Sequence, residues 1–212
     1  MFRWGLSIYK GLGATRGILF GYMTTVKKKM KPTKLLWVDL EMTGLDPEKE
    51  VITEIAALVS DFELNIEQEY EDTVHYAPSD LKARFDAEEN GFWNSMPEER
   101  DKLIEACEKS TSSLKEIEDK MIEIVKKNFA EDESVILAGN SIRVDRMFID
   151  KYMPRFAALL HYRMFDVTTF KIWIEGNGHD GRKKEERHRA LYDIHESMAE
   201  LKYYLDKGWM RL

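Results

Sequence analysis

The stretch Leu35-Leu-Trp-Val-Asp-Leu-Glu41 decides the fold. Its apolar residues Leu35, Trp37 and Leu40 mark a buried strand, and Met42-Thr43-Gly44-Leu45-Asp46-Pro47 turns the chain immediately afterwards. Asp39 and Glu41 are two residues apart on that strand, so both side chains leave the same face of a sheet, roughly 7 Å apart along the chain. A solvated polar face would explain an isolated Asp-x-Glu equally well, but the core character of the neighbours argues against it. Two buried carboxylates side by side raise each other's pKa unless a cation lies between them, and a divalent metal is the simplest cation to supply.

Outward from this strand, Val51–Ser60 and Asn65–Tyr76 read as two more strands separated by polar breaks, which makes a three-stranded meander. Ser113-Leu-Lys-Glu116 has capping-box spacing ahead of Ile117, Met121, Ile124 and Val125, so a helix starts there. Val135–Ala138 is a short strand. After the turn Gly139-Asn140-Ser141, a helix runs from Asp145 to Met153 and stops at Pro154. Tyr162–Val167 is a further strand and Thr168–Glu175 a further helix. Leu191, Ile194, Met198, Leu201 and Leu205 recur at steps of three and four, the pattern of an amphipathic closing helix. Strands first, then alternating helix and strand, predicts an α/β fold with a mixed central sheet flanked by helices.

The 212 residues suit one globular domain, and the single cysteine, Cys107, excludes an internal disulfide and any cysteine-based metal cluster. Charge is uneven. Residues 1–38 carry eight basic and no acidic residues, which leaves the remainder with 24 basic against 39 acidic, a net of −15. That balance is wrong for gripping a long phosphate backbone, whereas a short nucleic-acid ligand neutralised by bound cations remains compatible. The acid-free segment 1–33, with Phe2, Trp4, Leu6, Ile8, Tyr9, Ile18, Leu19 and Phe20 among its basic residues, reads as a mitochondrial presequence. A start at Met23 or Met30 would give a shorter cytoplasmic form. The uncharged run Gly17–Val26 is about half the length of a membrane span, so no transmembrane anchor is expected.

Three further residues carry chemistry. Asp145 falls in the first turn of a helix after Gly139-Asn140-Ser141, where the helix dipole favours a carboxylate in any case. His188 and Asp193 flank the start of the last helix, the histidine on a loop and the carboxylate on the first turns. Four carboxylates and one histidine converging at one end of a sheet meet the needs of metal-assisted phosphodiester hydrolysis: oxygen ligands for two hard cations, and a base for the attacking water.

The strings Trp37-Val-Asp-Leu-Glu-Met-Thr-Gly-Leu-Asp46, Gly139-Asn-Ser-Ile-Arg-Val-Asp145, His161-Tyr-Arg-Met-Phe-Asp-Val167 and His188-Arg-Ala-Leu-Tyr-Asp193 resemble the diagnostic segments of the oligoribonuclease family of DEDDh exonucleases. The match in order and spacing extends from about Leu35 to the C-terminus. The resemblance implies an RNase H-like fold over residues 34–212 and a homodimer. It also implies 3′→5′ hydrolysis of very short single-stranded RNA, with two Mg²⁺ or Mn²⁺ ions on Asp39, Glu41, Asp145 and Asp193 and His188 as general base. By the same resemblance Leu45 and Trp93 would hold bases, Ser141, Arg163 and Thr168 would cap the terminal phosphate, and Tyr162 would reach into the partner's site. Two positions depart from the family pattern: Glu98 stands where a histidine is usual, and Tyr192 where a second Asp is usual. Glu98 puts phosphate capping in doubt, since a carboxylate near a phosphate repels it. The competing readings are a DEDDh exonuclease acting on longer RNA or single-stranded DNA, which would need a basic track, and a non-catalytic RNase H-like RNA-binding module, which would have lost a ligand.

Overall fold

A computed structural model describes residues 31–87, 91–183 and 187–209. The presequence reading of residues 1–33 lies outside the described residues except for 31–33.

The decisive stretch is strand β1 (Lys34–Met42) at the centre of a five-stranded sheet. The order is β3 (Ile66–Thr73), β2 (Ile52–Asp61), β1, β4 (Val135–Gly139) and β5 (Leu160–Asp166). The three N-terminal strands form the antiparallel meander expected, and β4 and β5 add parallel to β1, giving the mixed sheet. Parallel addition demands crossovers. Helix α3 (Leu114–Asn128) precedes β4, while α4 (Arg143–Tyr152) and the short α5 (Pro154–Ala157) link β4 to β5.

Alternation along β1 sorts the two faces. Leu36, Val38 and Leu40 join the large core under α3 and α4 with Met121, Phe148 and Ile149. Leu35 and Trp37 face the other way, against α7 (Ala190–Asp206) through Ile194, Met198 and Leu201. Asp39 and Glu41 continue the α7 face towards the strand's C-terminal end. The capping box at Ser113 and Glu116 is present and starts α3 where expected. The helix bearing Asp145 begins two residues earlier than expected, at Arg143, and β3 ends three residues earlier, at Thr73; Val74 continues only as an isolated bridge to Ser112.

The sequence reading left residues 77–110 without structure. They form α1 (Pro78–Ala87), a 3-10 turn (Trp93–Ser95) and α2 (Pro97–Lys109), which bury Leu81, Phe85, Trp93, Leu103 and Cys107 in a third small core. Their apolar periodicity is weak because each helix buries only two residues. Among the described residues, no helix is long and apolar enough to cross a membrane.

Candidate active site

Strand β1 pairs with β4 only from Leu35 to Trp37. Beyond that point the two strands part, and the freed backbone N–H of Leu40 is taken by Asp145 Oδ1 at 3.0 Å. The parting lies at the carboxyl ends of two parallel strands, where open α/β sheets ordinarily hold their ligands. Gly139, the last residue of β4, makes the close approach possible. A Cβ there would sit 2.9 Å from Ile142 Cδ1 and 3.0 Å from the carbonyl oxygen of Val38.

A cleft of about 780 Å³ opens here, lined by Asp39, Glu41, Leu45, Phe92, Trp93, His188 and Asp193 among others. Asp193 lies in the first turn of α7, and His188 stands two residues before that helix with a left-handed φ of 48°. Oxygen and nitrogen atoms of Glu41, His188 and Asp193 all lie within 4.8 Å of one another. Asp145 is 6% exposed and completes the cluster from α4.

The electrostatics follow from this crowding. Burial, then the carboxylates of Asp145, Glu41 and Asp193, hold the Asp39 carboxyl well above the usual range. Glu41 is held up in the same direction by burial, then by Asp193, Glu54 and Asp145. Asp145 is pushed up to about 7, chiefly by burial, although the hydrogen bond from Leu40 opposes the shift. Asp39 is half-buried in the wall of the cleft. A buried cluster of acids that resist ionisation is one that a bound cation would relieve. The donors are carboxylate oxygens and one imidazole nitrogen, a set that suits a hard divalent cation.

The apolar rim departs from expectation. Leu45 is 60% exposed at the cleft mouth. Trp93 lines the cleft but is only 2% exposed; its indole N–H donates to the Met42 carbonyl at 2.8 Å and its ring packs edge-on against Phe85. The ring that stands in the open is Phe92, 45% exposed and perpendicular to the His188 imidazole at 5.2 Å.

Ser141 and Thr168 come together, but on a separate shelf rather than in the cleft lining. The Ser141 N–H reaches Asp166 Oδ1 at 3.0 Å and Thr168 Oγ1 at 2.9 Å, and the two hydroxyls are 3.2 Å apart. Asp166 caps α6 (Val167–Gly176) and raises the pKa of Asp145, so the shelf and the cluster are electrostatic neighbours. Tyr162 and Arg163 lie on edge strand β5, exposed and outside this chain's cleft, with the Arg163 guanidinium 5.3 Å from the centre of the Tyr162 ring. Of the two departures, Tyr192 packs beneath the Arg187 guanidinium at 4.5 Å. Glu98 is exposed in the first turn of α2. Glu99 beside it is held below the usual range by the Lys102 hydrogen bond, and further by His188 and Arg189, which places the start of α2 beside the histidine loop.

Sequence reasoning passed over Glu54, Phe92, Asp166 and Arg189. Glu54 had a signal of its own, as the one acid inside the apolar run Ile52–Val59. Phe92 lacked one, since exposure cannot be read from its neighbour Trp93.

A family model for exonucleases, RNase_T, matches residues 36–201. An oligoribonuclease of Francisella tularensis is 40% identical over 177 residues, covering 82% of this chain and 94% of its own. One from Corynebacterium efficiens is 43% identical over 175 residues, covering 81% and 77%. In the solved structure of Escherichia coli ExoI with single-stranded DNA, a domain superposes with a TM-score of 0.55 at 12% identity, covering 83% of this chain and 41% of that one. An Exonuclease I from Methylocaldum szegediense gives 0.54 at 13%, covering 82% and 40%. The chain thus spans about two fifths of those longer enzymes, and the likeness shows a shared fold. The family match, the identity over nearly the whole folded part and the acid cluster at the sheet's end agree: the chain belongs to the exonuclease family and, within it, to the oligoribonucleases.

Proposed function

We propose that the protein is a metal-dependent 3′→5′ exoribonuclease that hydrolyses very short oligoribonucleotides to 5′-mononucleotides. The observation that carries this reading is the convergence of Asp39, Glu41, Asp193 and His188 at one cleft, with Asp145 buried behind them within electrostatic reach of Asp39. The four carboxylates would hold two divalent ions, Mg²⁺ or Mn²⁺, which when bound supply positive charge against the reacting phosphate. His188 accepts the proton of the attacking water. Its imidazole lies beside Glu41 and Asp193, within reach of a water held at the acid cluster. Leu45, Phe92 and Trp93 form the apolar walls that a terminal base enters, and face-on contact with an aromatic ring is tolerant of base identity. The hydroxyls of Ser141 and Thr168, with the Arg163 guanidinium, are the groups suited to a terminal phosphate.

A second copy of the chain supplies what one lacks. Among the described residues strand β5 ends the sheet with an open edge, and Tyr162, Met164, Ile172 and Trp173 stand exposed on it and on α6. In a homodimer joined there, Tyr162 reaches the partner's cleft, and the protein elutes at twice its chain mass in light scattering. The segment 1–33 acts as a mitochondrial address, which import with cleavage would demonstrate.

The decisive test is hydrolysis of a 5′-labelled diribonucleotide beside a longer single-stranded RNA, with Mg²⁺ or Mn²⁺, for the native chain and Asp39→Ala. Rapid, metal-dependent cleavage of the dinucleotide, lost in the variant, supports the reading. Cleavage of the longer RNA alone keeps the chemistry and overturns the preference for short substrates.

A further inference from the structure

Glu54 is an acid with no evident reason to be where it is. It lies on β2 directly opposite Glu41, is 1% exposed, and lies within electrostatic reach of the two most crowded carboxylates of the cleft. It does not line that cleft. It borders a separate recess of about 320 Å³ with Glu71, Asp72, Thr73, Lys109, Ser110 and Arg189, so it is not placed to touch substrate in the cleft. A buried charge that close to other acids is costly unless specific partners hold it.

Its partners are two consecutive residues. Glu54 Oε1 accepts the backbone N–H of Ala190 at 2.9 Å, and Arg189 Nε donates to Oε1 at 3.2 Å while lying 3.0 Å from Oε2. Ala190 is the first residue of α7, whose own N-cap residue, Arg189, offers no side-chain cap. The helix therefore borrows its cap from a strand 136 residues earlier. The Arg189 carbonyl accepts Asp193 N–H at 2.9 Å, the bond that starts the helix and seats the Asp193 carboxylate. Immediately before Arg189 stands His188, in a left-handed conformation that a residue with a Cβ keeps only when its surroundings enforce it.

We infer that the buried Glu54–Arg189 pair is a positioning device for His188: it pins the residue after the histidine and so holds the imidazole in its strained backbone conformation against the acid cluster. The inference rests on the reading of His188 as the base. It predicts that Glu54 and Arg189 act on the chemical step through His188 and not on base binding, because neither is itself part of the cleft lining.

The test uses the full chain at saturating Mn²⁺ with a diribonucleotide, comparing Glu54→Gln, Arg189→Met and His188→Ala, and each of the first two combined with the third. Glu54→Gln keeps an acceptor for Ala190 and removes the ion pair. Arg189→Met removes the same pair but leaves the Glu54 carboxylate buried without its cation, so a thermal melt accompanies it, and Glu54→Gln, which leaves no buried charge, keeps the test readable if Arg189→Met fails to fold. The expected result is a fall in kcat of about tenfold for each, with KM within about twofold, because misplacing a base by an ångström costs rate. In the His188→Ala background the same substitutions should cost almost nothing further. Wild-type kcat in both variants, or an equal loss with and without His188, overturns the inference while leaving the base assignment intact. Unimpaired kcat in His188→Ala sinks both.

Discussion

Two helix starts feed the cleft, and they are built differently. The start of α4, bearing Asp145, follows β4 after only three residues, Asn140, Ser141 and Ile142, and is clamped by Gly139 packing on Ile142 and by the Leu40–Asp145 bond. The start of α7, bearing Asp193 and preceded by His188, arrives after a long connection from α6 and is capped from β2 by Glu54. The first joins a three-residue turn to one bond from the neighbouring strand, whereas the second follows a long connection and takes its cap from β2. Asp145 thus rides on a helix start held by its own turn and by β1, and His188 stands at the start that is capped from β2.

The largest effect should come from the rigid side. Asp145→Asn retains an acceptor for the Leu40 N–H, so the fold is kept while one anionic ligand is lost. We expect kcat/KM on a diribonucleotide to fall by roughly 10³-fold, about 4 kcal/mol of transition-state stabilisation. A variant with native activity would remove Asp145 from the metal site and break the comparison at its first term.

The same carboxylate makes stability depend on pH. Its folded pKa of about 7 lies above that of an unfolded aspartate, so the folded state binds the extra proton. Stability contributed by that proton is full below about pH 4 and is lost as pH rises through about 7, and Asp39 and Glu41 act in the same direction. Metal-free protein should therefore lose on the order of 3 kcal/mol between pH 5 and pH 8 in denaturant melts. Mn²⁺ should restore most of it at pH 8 and little at pH 5, and Asp145→Asn should make the profile shallower. A metal-free stability that rises over this range would contradict the acid cluster.

How much of this was legible in the sequence follows the same division. Asp39 and Glu41 were readable because alternation on a core strand fixes their face, and Asp145 because a strand, a turn and a helix lie within eleven residues. The meander was readable from three strands in succession, and the mixed sheet from the alternation of helix and strand after them. The partners of α7 were not readable, because Glu54 and Ala190 are 136 residues apart and only folding brings them together. Residues 77–110 were missed because helices that bury two side chains each leave almost no periodic trace. Trp93 was recognisable as an important aromatic, but which of two adjacent rings faces solvent is set by the 3-10 turn that carries it and not by composition.

Gly139→Ala sharpens the comparison on the α4 side. A Cβ 3.0 Å from the Val38 carbonyl and 2.9 Å from Ile142 Cδ1 forces β1 and the turn before α4 apart, at a cost of about 1–3 kcal/mol. Because the displaced turn carries Asp145, activity should fall further than the loss of folded protein explains. An alanine variant with native stability would show that this approach is looser than the geometry implies.

The α7 side is probed most gently at Phe92, whose ring meets His188 edge-on while nearly half of it stays in solvent. Removing an exposed ring takes little from the core, so Phe92→Ala should leave the melting temperature within a degree or two. It should still remove one stacking surface, worth about 1–2 kcal/mol per base, and raise KM for a diribonucleotide by roughly tenfold with kcat nearly unchanged. Trp93→Ala should show the opposite signature, because that ring is buried and its N–H is committed to Met42: a stability loss of about 3 kcal/mol, with weaker binding only as a consequence of the collapsed rim. Phe92→Trp should restore binding. If Trp93→Ala alone raised KM at native stability while Phe92→Ala did nothing, base contact would belong to the buried ring, and the exposed one would serve only to cover the histidine.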